Sequence, residues 1–310
     1  MKTLYTLACN DYAPKICELT FPLMERYAKK IGAEFFIIKS RKFPDLPPVY
    51  EKFRIYDLAK ERGDEWSIYF DADVLIHPDF WDITATLNKD TTCSAYSSDF
   101  TPQRFKPDEY FLRDGRFIGK GNWLAIFSEW CRDYYHPLED ISVDEAVSRI
   151  TPVEVESGTV VSAGHLIDDF IVSRNIARYG LKHTLLSELK DKFNTPDPRL
   201  YLWHNHLVST EQKVISMHEQ IISWAQDVYT ISTTDGRRVY KPIIQGKDAV
   251  ETDEMRERLI KHVNGLVETW MGKKIPTLQL KALSSQPAPI ADNGCVKIVD
   301  GQLVPAAVEK

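Results

Sequence analysis

The chain has 310 residues, 43% of them hydrophobic and 27% charged, with a formal net charge of −6. That length buries a sizeable core, the composition is that of an ordinary globular protein, and the acidic balance argues against a generally basic nucleic-acid binder. No run approaches the roughly 20 consecutive apolar residues that span a bilayer, and the five scattered cysteines form no CxxC pair, so neither a zinc site nor a disulfide framework is suggested. The N-terminal apolar portion is too short for a signal peptide. With idle thiols, this leads to the expectation of a cytoplasmic protein.

In chain order, Leu4 to Ala8 reads as a first strand, followed by the polar turn Asn10-Asp11-Tyr12. From Pro14 to Ile31 apolar residues recur at helical spacing (Ile16, Leu19, Leu23, Met24, Tyr27, Ile31), with Gly32 as the stop. Glu34 to Ile38 is a second strand, so the opening is a βαβ unit and predicts a parallel sheet. Ligands of such sheets bind beyond the carboxyl ends of the strands. The linker Phe43 to Pro48 carries three prolines, which lack the N–H groups of a helix or inner strand. A helix is expected from Tyr50 to Arg62, stopped by Gly63.

The next stretch organises the chain. Ile68 to Phe70 has the β-branched and aromatic content of a buried strand, ends in Asp71-Ala72-Asp73, and is followed at once by a second apolar run, Val74 to Ile76. Two carboxylates one residue apart between strands are costly to bury unless a positive charge neutralises them. Hard divalent cations prefer such oxygens and often share them with substrate phosphates. If the flanking strands are parallel, Ala8 to Tyr12 and Asp71 to Asp73 lie on one rim.

The stretch from Tyr50 to Ile76 resembles the core of GT-A fold glycosyltransferases, in a glycogenin-like arrangement. The resemblance covers about residues 3 to 215. It implies an α/β fold, a Rossmann-like, mostly parallel central sheet flanked by helices, with a smaller C-terminal α/β appendage. It also implies that Asp71 and Asp73 hold Mn²⁺ or Mg²⁺ against a nucleotide diphospho-sugar, with a UDP-sugar first among the donors. The nucleotide would sit against Ala8, Asn10 and Tyr12, and Lys52 would contact the diphosphate; a solvated helix lysine is the plain alternative. Asn122, in the stretch Gly119 to Phe127, resembles the element that passes under the donor sugar, although Gly-Asn-Trp departs from the family signature. Asp168 and Asp169 open a helix running to Tyr179 and resemble the acidic helix start beside the reacting sugar, where inverting members keep a general base. The helix dipole by itself also favours acids there. A histidine near Tyr201 to His206 is implied as a further metal ligand, with Lys213 following. His204 and His206 share a face if the segment is extended, and His206 is preferred for its closeness to Lys213.

Phe100 to Lys120 is polar, aromatic and rich in Arg and Lys. It fits an acceptor-binding flap, a strip that touches nucleic acid, or an ordinary surface insertion. A helix is expected from Met217 to Tyr229, a hairpin around Asp235-Gly236, a helix from Glu254 to Met271, and a small hairpin through Asp300-Gly301. The expected division is a catalytic domain over 1–215, C-terminal helices and hairpin over 216–272 packed on or beside it, and a tail over 273–310. The function read from these features is a hexosyl- or pentosyltransferase acting on a carbohydrate or other hydroxyl acceptor, a modified nucleic-acid base included. The alternatives are a nucleotidyltransferase, for which the first strand lacks a Gly-rich phosphate loop, and a non-enzymatic nucleotide- or glycan-binding module.

Overall fold

The computed structural model of the chain describes residues 1–95, 122–150, 152–154, 160–204, 209–227, 231–234, 237–240, 253–272, 296–299 and 302–305. The whole Phe100 to Lys120 segment, and His206, therefore lie outside the described residues.

The main sheet has six strands: β1 (Lys2–Leu7), β2 (Ala33–Ile38), β3 (Trp66–Phe70), β5 (Thr91–Ser94), β6 (Leu124–Ser128) and β9 (Lys182–Leu185), in the order β2-β1-β3-β6-β5-β9. Four further strands before the C-terminal hairpins lie outside it: β4 (Val74–Ile76), the short pair β7 (Val153–Glu154) and β8 (Val160–Val161), and β10 (Leu202–His204). β1 pairs parallel with β2 and β3, and β5 pairs parallel with β9. Only β6 is reversed, antiparallel to both its neighbours. The sheet is mostly parallel, as the βαβ opening implies.

Successive residues of a strand point to opposite faces, and both faces of this sheet are covered. Leu4, Trp66, Ile68, Phe70, Leu124 and Ile126 pack on one side with Met24, Tyr27 and Ile31 of α1 (Pro14–Ile31). Tyr5, Tyr69, Ala125 and Phe127 pack on the other with Ile55 of α2 (Arg54–Arg62). The same cluster takes Ala146 of α3 (Val143–Ser148) and Phe170, Ile171 and Ile176 of α4 (Ile167–Tyr179). Double burial explains why β3 reads as a continuous apolar run rather than an alternating one. The helix expected from Tyr50 begins as a 3-10 turn, Pro48–Phe53, and becomes α-helical only at Arg54. Gly32 and Gly63 end α1 and α2 in the left-handed conformation at φ 69° and 68°, which costs a glycine least.

The short helix α5 (Leu189–Phe193) follows β9. Beyond β10 come α6 (Thr210–Asp227) and α7 (Asp253–Met271). Met217, Ile221 and Trp224 of α6 and Val263, Val267 and Trp270 of α7 form a third core with Ile16, Leu19 and Leu23 of α1 and Leu75 of β4. α6 starts seven residues before the expected Met217 and runs unbroken through residue 216. Ser209 explains the start, since its hydroxyl accepts from Gln212 N–H while Gln212 Oε1 accepts from Ser209 N–H, each at 3.3 Å. The two C-terminal hairpins are present as antiparallel pairs, Ile231–Thr234 with Arg237–Tyr240 and Val296–Val299 with Gln302–Pro305.

Candidate active site

β1 and β3 are adjacent and parallel, so the residues just past their carboxyl ends share a rim. Ala8 continues the pairing, its N–H donating to Ile38 O at 3.0 Å. Asn10, Asp11 and Ala13 then adopt left-handed backbone, at φ 57°, 52° and 36°. Asn and Asp tolerate that region; for Ala13 it costs on the order of 1–2 kcal/mol. Such strain concentrates at functional loops. Tyr12 is exposed, and partial burial followed by the charges of Asp73 and Asp71 pushes its phenol up.

Asp71 follows β3 directly. Its N–H donates to Trp123 O at 2.8 Å and its carbonyl accepts from Val74 N–H at 3.1 Å, which closes the Asp-Ala-Asp turn. Thr20 of α1 donates to Ala72 O at 2.6 Å and pins the turn's centre. The second apolar run, β4, then leaves the main sheet and pairs antiparallel with β10, setting His204 opposite Val74. That register carries His204 to the site: its Nε2 lies 3.4 Å from Asp73 Oδ1, and its ring stacks on Trp123 at 5.1 Å. Asp71, Asp73 and His204 each offer a ligand atom, all within 4.8 Å of one another. Of the two candidate histidines, His204 is the one among the described residues that joins the aspartates.

Two lysines converge from opposite sides. Lys213, in the first turn of α6, is ion-paired with Asp73 Oδ2. Burial alone would raise the Asp73 carboxyl, but His204 and Lys213 outweigh it and hold the group far below the usual range. Lys52, 3% exposed, lies 2.9 Å from Asp71 Oδ1, 2.7 Å from Asp168 Oδ2 and 2.9 Å from Asn122 O. Where a diphosphate contact was expected, its three N–H donors all have protein partners. Burial would lower the ammonium, yet Asp168 and Asp71 hold it charged.

The acidic start of α4 resolves into two environments. Asp168 is buried against Lys52, and Asn122 Nδ2 is 3.5 Å from the same oxygen. Asp169 is only half-buried and accepts from Asn122 N–H at 3.1 Å. Burial raises the Asp168 carboxyl to about 6, Lys52 opposing and Asp169 assisting. Lys52 faces two carboxylates while Asp168 faces one ammonium and a like charge, so burial is outweighed at the lysine and not at the acid. Asn122 is itself fixed, its Oδ1 accepting from Tyr135 OH at 3.1 Å. The expected residues Asp71, Asp73, Lys52, Asn122, Asp168, Asp169 and Lys213 are thus brought together, with Ala8, Asn10 and Tyr12 on the rim beside them.

Four carboxylates (Asp71, Asp73, Asp168, Asp169) face two ammonium groups (Lys52, Lys213). The excess negative charge and the oxygen and imidazole donors fit a hard or borderline divalent cation. His204 shares that position through the β4–β10 pairing, which joins residues far apart in sequence; only extended spacing around Trp203 hinted at it.

No family model and no curated protein sequence matches the chain. Among solved structures it is similar to a glycosyltransferase involved in glycosylation of the major capsid of PBCV-1, at 12% identity and TM-score 0.40, over 70% of this chain and 99% of that one. It is also similar to the galactosyltransferase LgtC in complex with donor and acceptor sugar analogues, at 12% identity and TM-score 0.36, over 59% and 73% of the two chains. The inositol-1-phosphate CTP transferase from T. maritima follows, at 12% identity and TM-score 0.27, over 60% and 84%. Likenesses this slight leave the functional reading to the residues themselves.

Proposed function

We propose that this chain is a metal-dependent glycosyltransferase, moving a sugar from a nucleotide diphospho-sugar to an acceptor hydroxyl. The observation that carries the reading is the Asp71-Ala72-Asp73 turn at the carboxyl end of β3, with His204 beside it and Lys213 on Asp73. Asp71, Asp73 and His204 would hold Mn²⁺ or Mg²⁺, which when bound neutralises charge on a leaving diphosphate. Lys213 sits at the positive end of the α6 dipole and adds charge on the same side. Ala8, Asn10 and Tyr12 would line the nucleotide, with a UDP-sugar the first donor to try. Of the acidic pair, half-buried Asp169 is the more open to an acceptor hydroxyl and, in an inverting reaction, would take its proton. Asp168 would stand behind it, held by Lys52. The acceptor is a carbohydrate or another hydroxyl-bearing molecule.

The test is thermal unfolding with UDP, GDP, ADP, CDP and TDP, each with and without Mn²⁺. A ligand at about 100 times its Kd stabilises the native state by about 2.7 kcal/mol, so one nucleotide should raise the midpoint by several degrees in a metal-dependent way. Asp73→Asn should abolish that shift. Folded wild-type protein that responds to no nucleotide would sink the reading. Metal-dependent binding without hydrolysis or transfer of any matching sugar donor would favour a binding module.

A further inference from the structure

We propose that Lys52 is a positioning residue, a buried cross-link between the Asp-Ala-Asp turn and the acidic start of α4, and does not touch the donor diphosphate. An ammonium has three N–H donors, and Lys52 has three acceptors: Asp71 Oδ1, Asp168 Oδ2 and the Asn122 carbonyl, at 2.9, 2.7 and 2.9 Å. It is 3% exposed, and its Nζ stands 5.0 Å from the Tyr69 ring centroid. A diphosphate would have to displace one of these three acceptors from a buried ammonium, leaving a buried carbonyl unpaired or a carboxylate uncompensated, and either is unfavourable.

The contacts also fix which oxygen of Asp71 faces the cation. The Tyr69 hydroxyl donates to Oδ1 of Asp71 at 2.5 Å, the oxygen that Lys52 also engages. Both contacts fall on Oδ1, so Oδ2 is the oxygen that Asp71 would offer a metal. The same lysine sets the distance between this ligand and Asp168, residues 97 positions apart that no backbone pairing connects. Lys52 thereby holds the donor side of the site in register with the acceptor side. The metal and donor parts of this inference rest on the transferase reading; the cross-link itself does not.

The experiment uses the full chain with Lys52→Met, Asp168→Asn and the double variant. Lys52→Met leaves buried Asp168 and partly buried Asp71 without their shared cation, so the unfolding midpoint should fall by several degrees and at least half of the loss should return in the double variant. Independent, additive effects would overturn the cross-link. Mn²⁺ affinity without nucleotide, read by electron paramagnetic resonance, should fall at least fivefold in the double variant. The double variant removes one positive and one negative charge and leaves the net charge of the site unchanged, so unchanged or tighter Mn²⁺ binding would overturn the positioning role. At saturating Mn²⁺ the double variant should bind the nucleotide within threefold of wild type, while Lys213→Met loses at least tenfold; a tenfold loss at Lys52 would restore the diphosphate contact. If wild-type protein binds neither Mn²⁺ nor any nucleotide, the transferase reading fails and the unfolding cycle alone decides the cross-link.

Discussion

Glu51 has no exposed surface, yet its carboxylate is well satisfied: Arg41 Nε donates to Oε1 at 3.0 Å, and the N–H groups of Lys42 and Phe43 donate at 3.0 and 2.7 Å. Burial pushes this carboxyl up, but the two backbone donors and Arg41 outweigh it and hold it below the usual range. A depressed carboxyl contributes stability that is present above its unfolded value, about 4.3, and is lost as pH falls through the folded value. Glu51→Gln turns an amide N–H toward two fixed donors, so unfolding should cost about 1–3 kcal/mol less and the acid side of the stability curve should flatten. His183 gives the second pH prediction. Thr92 Oγ1 donates to Lys182 O at 3.1 Å, so His183 Nδ1–H donates to Thr92 at 2.8 Å and Nε2 accepts from the Ser94 hydroxyl at 3.1 Å. Burial holds this imidazole down at about 3. Its contribution is complete above about 6.5 and is lost as pH falls from there toward 3. Wild type and His183→Phe, compared by denaturant unfolding at pH 7.5 and 5, should show the steeper loss in wild type. At the proposed metal site, His204→Ala should lower Mn²⁺ affinity about tenfold, an energetic loss of about 1.4 kcal/mol, by titration without nucleotide.

At the scale of elements, α6 links stability to the site. Its first turn carries Lys213, and the Ser209–Gln212 reciprocal cap fixes where that turn begins. Ser209→Ala should cost about 1 kcal/mol in denaturant unfolding. Because fraying starts at the turn that positions Lys213, the metal-dependent nucleotide shift should weaken as well. An unchanged shift with lowered stability would separate the cap from the site. β4 plays the matching part on the other side: too short to hold itself, it is buried on Leu75 by α1, α6 and α7 and held by three register pairs to β10.

For the whole molecule, the third core decides how the C-terminal region relates to the sheet. Met217, Ile221 and Trp224 are buried against α1 and β4, and His77 stands edge-on to Tyr201, Trp224 and Trp270 at 5.5, 5.1 and 5.7 Å. Each such large apolar side chain contributes about 1.5–3 kcal/mol by its burial, comparable in sum with the whole stability of a typical domain. A chain ending at residue 215 should therefore lose cooperative unfolding and bind a hydrophobic dye. A chain ending at residue 272 keeps all three cores and should unfold as cooperatively as the full length.

Much of this was legible in the sequence, for a local reason. Hydrophobic period, proline and glycine placement and the Asp-x-Asp after an apolar run are properties of neighbouring residues, so β1, α1, β2, β3, the glycine stops and the acidic start of α4 could be read from them directly. Ser209-x-x-Gln212 carried the same kind of local signal, which marks the start of α6. What only the tertiary structure decided are pairings between distant segments. The reversal of β6, the departure of β4 to join β10, His204 beside Asp73, and Lys52 on both Asp71 and Asp168 depend on which faces pack and which charges must be neutralised when water is excluded. Side chains apart in sequence meet only because long-range burial closes the loops between them, and no local pattern encodes the partner.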